Sequence, residues 1–251
     1  MGLAPWAKGY IGPMIRALLW SIADRVPSQC AACGGWPAEP VCEACVDQFA
    51  QPLQRCLTCA VPVAPGIVQC GACMRSPPPV DACLAAVTYA YPWSGLIVQF
   101  KFRGRAGWSR AFAGLLRSTP WVEPALEQAN LVLPMPLSAQ RLRSRGFNQA
   151  LELARQLAPD KTDATLLLRI LDTPPQSTLP RAERLRNVRH AFAIEPLRAG
   201  VLAGARVVLV DDVMTSGASI HAVAATLRQA GAAHVTAIVL ARAELAGELS
   251  L

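Results

Sequence analysis

The sequence predicts an α/β fold with a mostly parallel sheet, preceded by a small cysteine-rich segment. Over residues 81–251, apolar runs typical of buried strands alternate with helix-like stretches, which is the pattern of a parallel sheet covered on both faces. Eight of the nine cysteines lie within residues 1–80. The run Ser76-Pro77-Pro78-Pro79 separates the two parts. It is typical of a stiff linker, because proline continues neither a helix nor a central strand.

The elements of the second part follow from hydrophobic periodicity. Five apolar runs predict strands, at residues 84–91, 131–133, 165–170, 207–210 and 235–240. Apolar residues recur at helical spacing over 147–157 and 220–227, which predicts a helix in each segment. Gly231 stands where the second of these helices is expected to stop.

Composition limits the class of protein. Hydrophobic residues make up 53% of the 251 residues and charged residues 16%, so intrinsic disorder is not expected. The apolar stretch 14–23 is interrupted by Arg16 and is shorter than the roughly 20 residues of a membrane-spanning helix. It also lacks the features of a signal peptide. We therefore expect a cytoplasmic protein without a membrane span, whose cysteines bind metal instead of forming disulfides.

Four Cys-x-x-Cys pairs follow one another along the chain: Cys30/Cys33, Cys42/Cys45, Cys56/Cys59 and Cys70/Cys73. Two pairs make one tetrahedral four-thiolate site, so eight thiolates predict two structural Zn²⁺ ions. Disulfides and a thioredoxin-like redox pair are the alternatives, and four evenly spaced pairs without a preceding strand argue against both. We expect sequential pairing, while a crossed pairing of the same cysteines stays open. Cys83 stands apart in a strand-like run and is expected in the core.

Zinc changes the distribution of charge along the chain. The formal net charge of +7 counts every thiol as neutral. Residues 1–80 carry five cations and four anions, and two zinc–tetrathiolate sites change their net charge from +1 to −3. Residues 101–190 carry fifteen cations and seven anions, a net charge of +8. The surface that attracts phosphate or nucleic acid is therefore expected in the second part of the chain.

The sharpest functional signal is a strand that ends in two carboxylates and continues into a hydroxyl-rich loop. The residues in question are Asp211, Asp212, Val213, Met214, Thr215, Ser216, Gly217, Ala218 and Ser219. Amides at the N-terminus of a helix bind a phosphate monoester, and nearby hydroxyls add donors. Vicinal ribose hydroxyls donate hydrogen bonds to ionised carboxylates. The segment therefore predicts a ribose 5-phosphate site at the carboxyl edge of the sheet.

Other interpretations of this segment explain less. An ordinary capped helix after a strand does not require two carboxylates followed by Thr-Ser-Gly-Ala-Ser. A receiver domain carries its acidic pair after the first strand, whereas this pair comes after most of the α/β pattern. The chain contains neither the glycine fingerprint of dinucleotide-binding folds nor a P-loop motif.

Three basic segments accompany the acidic loop. Arg141 and Arg145 follow a strand and its turn, and they could balance the charge of a pyrophosphate. A solvated basic helix face is the alternative, and both stay open. Lys101 is either a phosphate contact or a charge at the rim of the site. The long segment 172–191, with Arg181 and Arg184, is typical of a loop that closes over an active site.

Residues 211–219 resemble the phosphoribosyl pyrophosphate (PRPP) signature of type I phosphoribosyltransferases. Over about residues 30–242, the chain resembles the ComF family of competence-associated proteins, which includes the proteins named GntX. The motifs that carry this resemblance are the four cysteine pairs, Lys101-Phe102-Arg103-Gly104, residues 134–137, 141–149 and 176–187, and the acidic loop. The departures are mild: Ser216 and Ser219 replace a frequent Thr, and Met135 replaces a frequent Val.

The resemblance implies a type I phosphoribosyltransferase-like parallel sheet flanked by helices, with a small N-terminal double zinc ribbon. The predicted segments are a helical N-terminus at 1–25, the double zinc ribbon at 26–76 and the phosphoribosyltransferase-like domain at 80–251. The resemblance also implies binding of PRPP, or a related ribose phosphate, with Mg²⁺. The turn that corresponds to the pyrophosphate loop consists of Pro134, Met135, Pro136 and Leu137.

The functional role that the resemblance implies is the handling of single-stranded DNA during natural transformation. Two alternatives stay open. The chain could be an active phosphoribosyltransferase of nucleotide metabolism, although no motif identifies the acceptor nucleophile. Its zinc ribbons could instead dock a helicase-like competence protein.

Overall fold

The computed structural model describes residues 29–36, 38–102, 108–171 and 191–244. The predicted helical segment 1–25, the Arg103-Gly104 pair and the long loop with Arg181 and Arg184 lie outside these residues. Contacts divide the chain into two compact units, Met1–Glu43 and Ala44–Leu251. In the described part of the first unit, the chain turns tightly where the Gly34 amide donates to the carbonyl of Cys30 at 2.7 Å.

The core of the second unit is a four-stranded sheet in which every pair of neighbouring strands is parallel. Its strands follow the order β1-β6-β5-β2, with bounds β1 (Ala82–Thr88), β6 (His234–Arg242), β5 (Arg206–Met214) and β2 (Leu131–Pro134). Strands β5 and β6 lie in the middle and are mostly buried. The prediction of a parallel sheet is confirmed.

A separate antiparallel hairpin consists of β3 (Leu167–Arg169) and β4 (Phe192–Ile194). The apolar run at 165–170 therefore contributes a strand outside the main sheet, and β4 was not predicted. Hydrophobic periodicity does not distinguish a three-residue strand from a loop, nor does it reveal which sheet a short strand joins.

Helices cover the sheet and connect its strands. The helices of the described residues are α1 (Glu43–Phe49), α2 (Gly71–Arg75), α3 (Trp93–Phe102), α4 (Trp108–Arg117), α5 (Val122–Gln128), α6 (Ala139–Arg145), α7 (Gln149–Leu157) and α8 (Ala218–Gln229). Two 3₁₀ helices span Pro159–Lys161 and Pro196–Leu202. None of the helices in the described ranges is long and apolar enough to cross a membrane.

The second cysteine segment packs into the same hydrophobic cluster as the sheet. Cys56, Cys59 and Cys73 are buried there together with Val239 of β6. The amide of Cys83 on β1 donates to the carbonyl of Leu57 at 2.7 Å. This cysteine segment therefore belongs to the compact unit Ala44–Leu251, because its buried residues extend the core of the sheet.

The glycine that follows α8 adopts a backbone conformation that other residues rarely adopt. Gly231 has φ +100°, and a Cβ atom there would lie 3.4 Å from the Cα of Ala203. Because the left-handed region costs other residues about 1–2 kcal/mol, Gly231→Ala should lower the free energy of unfolding by about that amount. Gly114→Ala is the matched control, since Gly114 lies inside α4 with no atom within 4 Å of its added Cβ. It should be neutral or stabilising by up to about 1 kcal/mol. Urea denaturation measures both, and equal losses would contradict the assignment.

Candidate functional site

A cleft of about 180 Å³ lies at the carboxyl ends of β2 and β5. Most of the predicted phosphate-binding residues line it, namely Lys101, Met135, Pro136, Leu137, Arg141, Arg145, Asp211, Asp212, Val213, Met214, Thr215, Gly217, Ala218 and Ser219. Two predicted residues do not belong to the lining. Pro134 is the last residue of β2 and pairs with Val210, and Ser216 is buried behind the loop surface.

The two carboxylates lie within β5, which continues to Met214 in register with β6. The strand was expected to end in these two carboxylates, and it continues for two residues beyond them. Asp212 is only 7% exposed, and its Oδ1 atom lies 3.0 Å from Nζ of Lys101. The Asp211 Oδ1 atom accepts a hydrogen bond from the Asp212 amide at 2.9 Å. The acidic pair is therefore fixed by the sheet and partly neutralised by Lys101.

The pKa of Asp211 is raised to about 7, first by burial and then by the neighbouring charge of Asp212. The Asp212 amide, Lys101 and Arg145 act in the opposite direction and do not cancel the shift. Asp211 therefore changes between a neutral acid and an ionised acceptor near neutral pH. Only its ionised form accepts two hydrogen bonds from a vicinal diol without donating one itself.

The cations of the cleft are held by neighbouring polar and aromatic groups. Nη1 of Arg145 donates to Oε1 of Gln149 at 2.9 Å, and its guanidinium lies 5.3 Å from the centre of the Phe102 ring. Nε2 of Gln149, which is almost fully buried, donates to the carbonyl of Lys101 at 3.4 Å. Gln149 thus links the two cations that face the acidic pair.

Helix α6 divides its arginines between the cleft and the solvent. Arg141 and Arg145 are one turn apart and both line the cleft, whereas Arg143 between them is exposed and outside the lining. Burial lowers the pKa of the Arg145 guanidinium, which stays charged because its ordinary value is above 12. The structure therefore places Arg141 and Arg145 at the cleft and Arg143 at the solvent, and the pyrophosphate contact of the first two stays a prediction.

Local hydrogen bonds fix the two loops that face each other across the cleft. Asn148 caps α7 through its Oδ1 atom, and its Nδ2 atom donates to the carbonyl of Met135 at 3.1 Å. In the opposite loop, Gly217 has φ +77°, and a Cβ atom there would lie 2.5 Å from Cε of Met214 and 2.9 Å from the His221 ring. A side chain at this position would be strained by the positive φ and would have to displace Met214 and His221.

One cation of the cleft was missed by the sequence analysis. Arg169 at the end of β3 lines the cleft, with its guanidinium 5.5 Å from the centre of the Phe192 ring. Its contribution depends on the position of the β3–β4 hairpin, and no local motif marks it. A single arginine inside an apolar run of strand type was the only available signal.

The eight paired cysteines form two groups in sequential order: Cys30, Cys33, Cys42 and Cys45, then Cys56, Cys59, Cys70 and Cys73. Within each group the sulfur atoms lie within 4.8 Å of one another. The Sγ atoms of Cys33 and Cys42 are 3.8 Å apart, and those of Cys59 and Cys70 are 3.7 Å apart. Tetrahedral zinc with bonds of about 2.3 Å requires sulfur separations of about 3.8 Å, so both groups fit a structural Zn²⁺.

In each group, a backbone amide donates a hydrogen bond to one sulfur atom and so favours the ionised thiolate, which is the form that binds metal. The Cys42 amide donates to Sγ of Cys30, and the Cys70 amide donates to Sγ of Cys56, each at 3.3 Å. Burial raises the pKa of Cys30 and Cys56, but amide hydrogen bonds outweigh it and lower both values to about 6. Cys83 is instead a buried core residue, as expected, and burial raises its pKa to about 12.

Comparison with known proteins identifies the domain and the family of the chain. Residues 142–249 match the phosphoribosyl transferase domain. The chain is 32% identical over 214 residues to the DNA utilization protein YhgH of Salmonella typhimurium, covering 80% of this chain and 90% of that protein. It is 31% identical over 182 residues to Competence protein F of Haemophilus influenzae, covering 69% and 78%. It is also 33% identical over 156 residues to Competence protein ComFC of Bacillus subtilis, covering 62% of each.

The parallel sheet, the cleft at its carboxyl edge and the matched domain define a phosphoribosyltransferase-type protein with two N-terminal four-cysteine groups. The similarity to these relatives shows the family within that class: the chain belongs to the ComF family. Among solved structures, it overlaps the allosteric regulatory enzyme of purine biosynthesis at 23% identity and a TM-score of 0.28, covering 47% of this chain and 26% of that one.

The sulfur geometry predicts two zinc ions per chain after purification under reducing conditions. Cys33→Ser removes one ligand of the first group and should lower the content to one, because three thiolates hold zinc less tightly than four. Cys83→Ala should leave it at two. Elemental analysis by mass spectrometry measures the content. A folded, untreated protein with fewer than two zinc ions, or loss of zinc in Cys83→Ala, would contradict the assignment.

Proposed function

We propose that the chain binds PRPP, or a related ribose 5-phosphate, together with Mg²⁺ in the carboxyl-edge cleft, and that it handles single-stranded DNA in natural transformation. One observation carries the first part. The acidic pair, the loop that opens α8 and the cations Lys101 and Arg145 all face one cleft. The competence names of the relatives support the second part.

Each part of such a ligand has a matching group in the cleft. The 5-phosphate would accept hydrogen bonds from amides and hydroxyls of residues 215–219. The ribose hydroxyls would donate to Asp211 and Asp212. The pyrophosphate would lie along residues 135–137, where Arg141 and Arg145 are able to bind its oxygens in pairs. Carboxylate oxygens beside phosphate oxygens are ligands that suit Mg²⁺.

The net charge of the cleft also favours this ligand. Four cations line it, namely Lys101, Arg141, Arg145 and Arg169, against the two carboxylates of Asp211 and Asp212. A bound 5-phosphate and pyrophosphate would give the excess cations of the cleft anionic partners. An anionic ligand therefore suits the charge of the site.

The same cations support a second candidate, an active phosphoribosyltransferase. Displacement at C1 of the ribose breaks the bond to pyrophosphate and places negative charge on the departing oxygen. Arg141 and Arg145, held beside that position, would stabilise the charge as it develops. Release of pyrophosphate from PRPP in the presence of candidate acceptors distinguishes transfer from binding alone.

Substitution of the acidic pair tests the ribose contacts. Asp211→Asn with Asp212→Asn keeps the shape of both side chains but removes the charge of two acceptors. Such hydrogen bonds are worth about 1.5–3 kcal/mol each, so PRPP affinity measured by calorimetry with Mg²⁺ should fall at least about tenfold. Glu127→Gln with Asp160→Asn is the matched control, since it changes the net charge equally at exposed positions outside the cleft lining. Unchanged affinity in the first double variant would refute the assignment.

The raised pKa of Asp211 predicts a pH dependence of binding. Below about pH 7 the protonated acid predominates, and above it the ionised acceptor does. The affinity for PRPP should therefore rise between pH 6 and pH 8, beyond the contribution of the ligand's own phosphates. Asp211→Asn removes this titration, so the slope of affinity against pH should be smaller. Equal slopes in the two proteins, measured by calorimetry, would contradict a titrating Asp211.

The division of arginines on α6 predicts how DNA binding separates from PRPP binding. Arg143 faces solvent within the segment of net charge +8. Arg143→Ala should weaken binding of single-stranded DNA for all sequences alike and reduce the salt slope by roughly 0.7 if one phosphate contact is lost. PRPP affinity should not change. Arg155→Ala, an exposed arginine on α7 paired with Glu152, is the comparison. A salt slope that does not change when Arg141, Arg143 and Arg145 are all replaced by Ala would refute DNA contact here.

A further inference from the structure

A buried arginine connects the second cysteine group to the loop that opens α8. Arg242, the last residue of β6, is 3% exposed. Its Nε atom donates to the carbonyl of Cys59 at 2.7 Å, and its Nη1 atom donates to the carbonyl of Thr215 at 2.6 Å and that of Met214 at 3.4 Å. Nη1 also contacts the carbonyl of Ala243. One guanidinium therefore joins a metal-ligand residue to the proposed phosphate loop.

The buried positive charge of Arg242 requires a nearby negative charge, and a zinc–tetrathiolate site would supply one. Among the residues that the structure describes, Arg242 forms no ion pair with a carboxylate, and burial of an unpaired cation is costly. Arg55 lies close by, and its Nη1 atom donates to the carbonyl of Ala60 at 3.0 Å. The carboxylate of Glu244 is one anion that acts on Arg55. A zinc ion with four thiolates carries a formal charge of −2, which would add to that of Glu244 in balancing the two guanidiniums.

The hydrogen bonds to the loop determine which way its amides point. In a planar trans peptide, the carbonyl and the following N–H point in opposite directions. Because the Thr215 carbonyl faces Arg242, the Ser216 amide points away from it. Phosphate binding requires such an outward orientation of loop amides. The hydrogen bonds from Arg242 to the Met214 and Thr215 carbonyls therefore restrain the orientation of the peptide groups of this loop.

We propose that Arg242 is a positioning residue through which zinc in the second cysteine group orders the phosphate loop, Met214 to Ser219. Zinc fixes the Cys59 backbone, Cys59 fixes the guanidinium, and the guanidinium fixes the carbonyls of Met214 and Thr215. The consequence for ligand affinity rests on the proposed ribose-phosphate function. The ordering of the loop does not, and it can be measured without ligand.

Hydrogen exchange of the unliganded protein, followed by mass spectrometry, tests the ordering. Cys70→Ser should release zinc from the second group and speed exchange of amides 214–219 by at least about tenfold, since the loop loses its restraint. Cys42→Ser is the matched control, because Cys42 has the same place and amide hydrogen bond in the first group. It should release one zinc and leave exchange of 214–219 at the wild-type rate. Equal exchange in the two variants would overturn the proposal.

A second variant keeps the proposal testable if Cys70→Ser does not fold. Arg242→Lys keeps the charge but cannot reach the carbonyls of Cys59 and Thr215 together. It should retain two zinc ions and speed exchange of 214–219. Where Cys70→Ser does fold, adding it to Arg242→Lys should increase that exchange little further. Additive effects, or wild-type exchange in zinc-loaded Arg242→Lys, would overturn the coupling.

Calorimetry with ribose 5-phosphate separates the coupling from the proposed function. The affinity should fall roughly tenfold in Arg242→Lys, because binding must then order the loop. If wild-type protein binds no ribose 5-phosphate while the exchange results hold, the proposed function fails and the coupling stands. If wild-type and Arg242→Lys bind it equally, the positioning role fails.

Discussion

The parallel pairing of β5 with β6 determines where the acidic pair and the start of the loop before α8 lie. The ladder continues to Met214 and Arg242, so Asp211 and Asp212 are held inside a buried strand instead of a loop. The neighbouring pairing with β2 ends at Pro134, which places residues 135–137 beside the acidic pair. A parallel sheet brings its carboxyl ends to one edge, and ligands bind there in open α/β sheets.

This rigid placement has an electrostatic consequence. Two adjacent carboxylates in a mostly buried strand repel each other, and burial favours their protonation. Lys101 contacts one of them at 3.0 Å, while the other keeps a pKa raised to about 7. Arg145 is joined to Lys101 through Gln149. The site therefore holds carboxylates and cations side by side. A ligand with both hydroxyls and phosphates would contact both kinds of group, which is the physical reason to propose a ribose phosphate.

Much of this arrangement was predictable because its signals are local. Cysteine spacing indicates a four-thiolate group, and Thr215 to Ser219 directly follow the carboxylates in the chain. The sheet followed from apolar runs at β2, β5 and β6. Contacts between distant segments were not predictable. The ion pair of Lys101 with Asp212 spans more than a hundred residues, and Arg169 reaches the cleft through a hairpin that periodicity did not reveal.

The position of the second cysteine group also depends on contacts between distant segments and was therefore not predictable. The proline run 77–79 has the composition of a linker, and composition predicted a domain boundary there. Burial of Cys56 and Cys73 against the sheet depends on shape complementarity, which one sequence does not display. The contact of Arg242 with Cys59 joins residues 183 positions apart. Tertiary packing therefore connects the metal group to the cleft in a way that neither motif indicates.

The most direct measurement is a crystal structure of the zinc-loaded protein with ribose 5-phosphate. We predict that the phosphate lies within hydrogen-bond distance of the amides of residues 216–219 and that the ribose hydroxyls face Asp211 and Asp212. A ligand bound elsewhere, for example in the apolar groove lined by Leu57, Leu84 and Trp121, or one that faces the acidic pair with its phosphate, would contradict it.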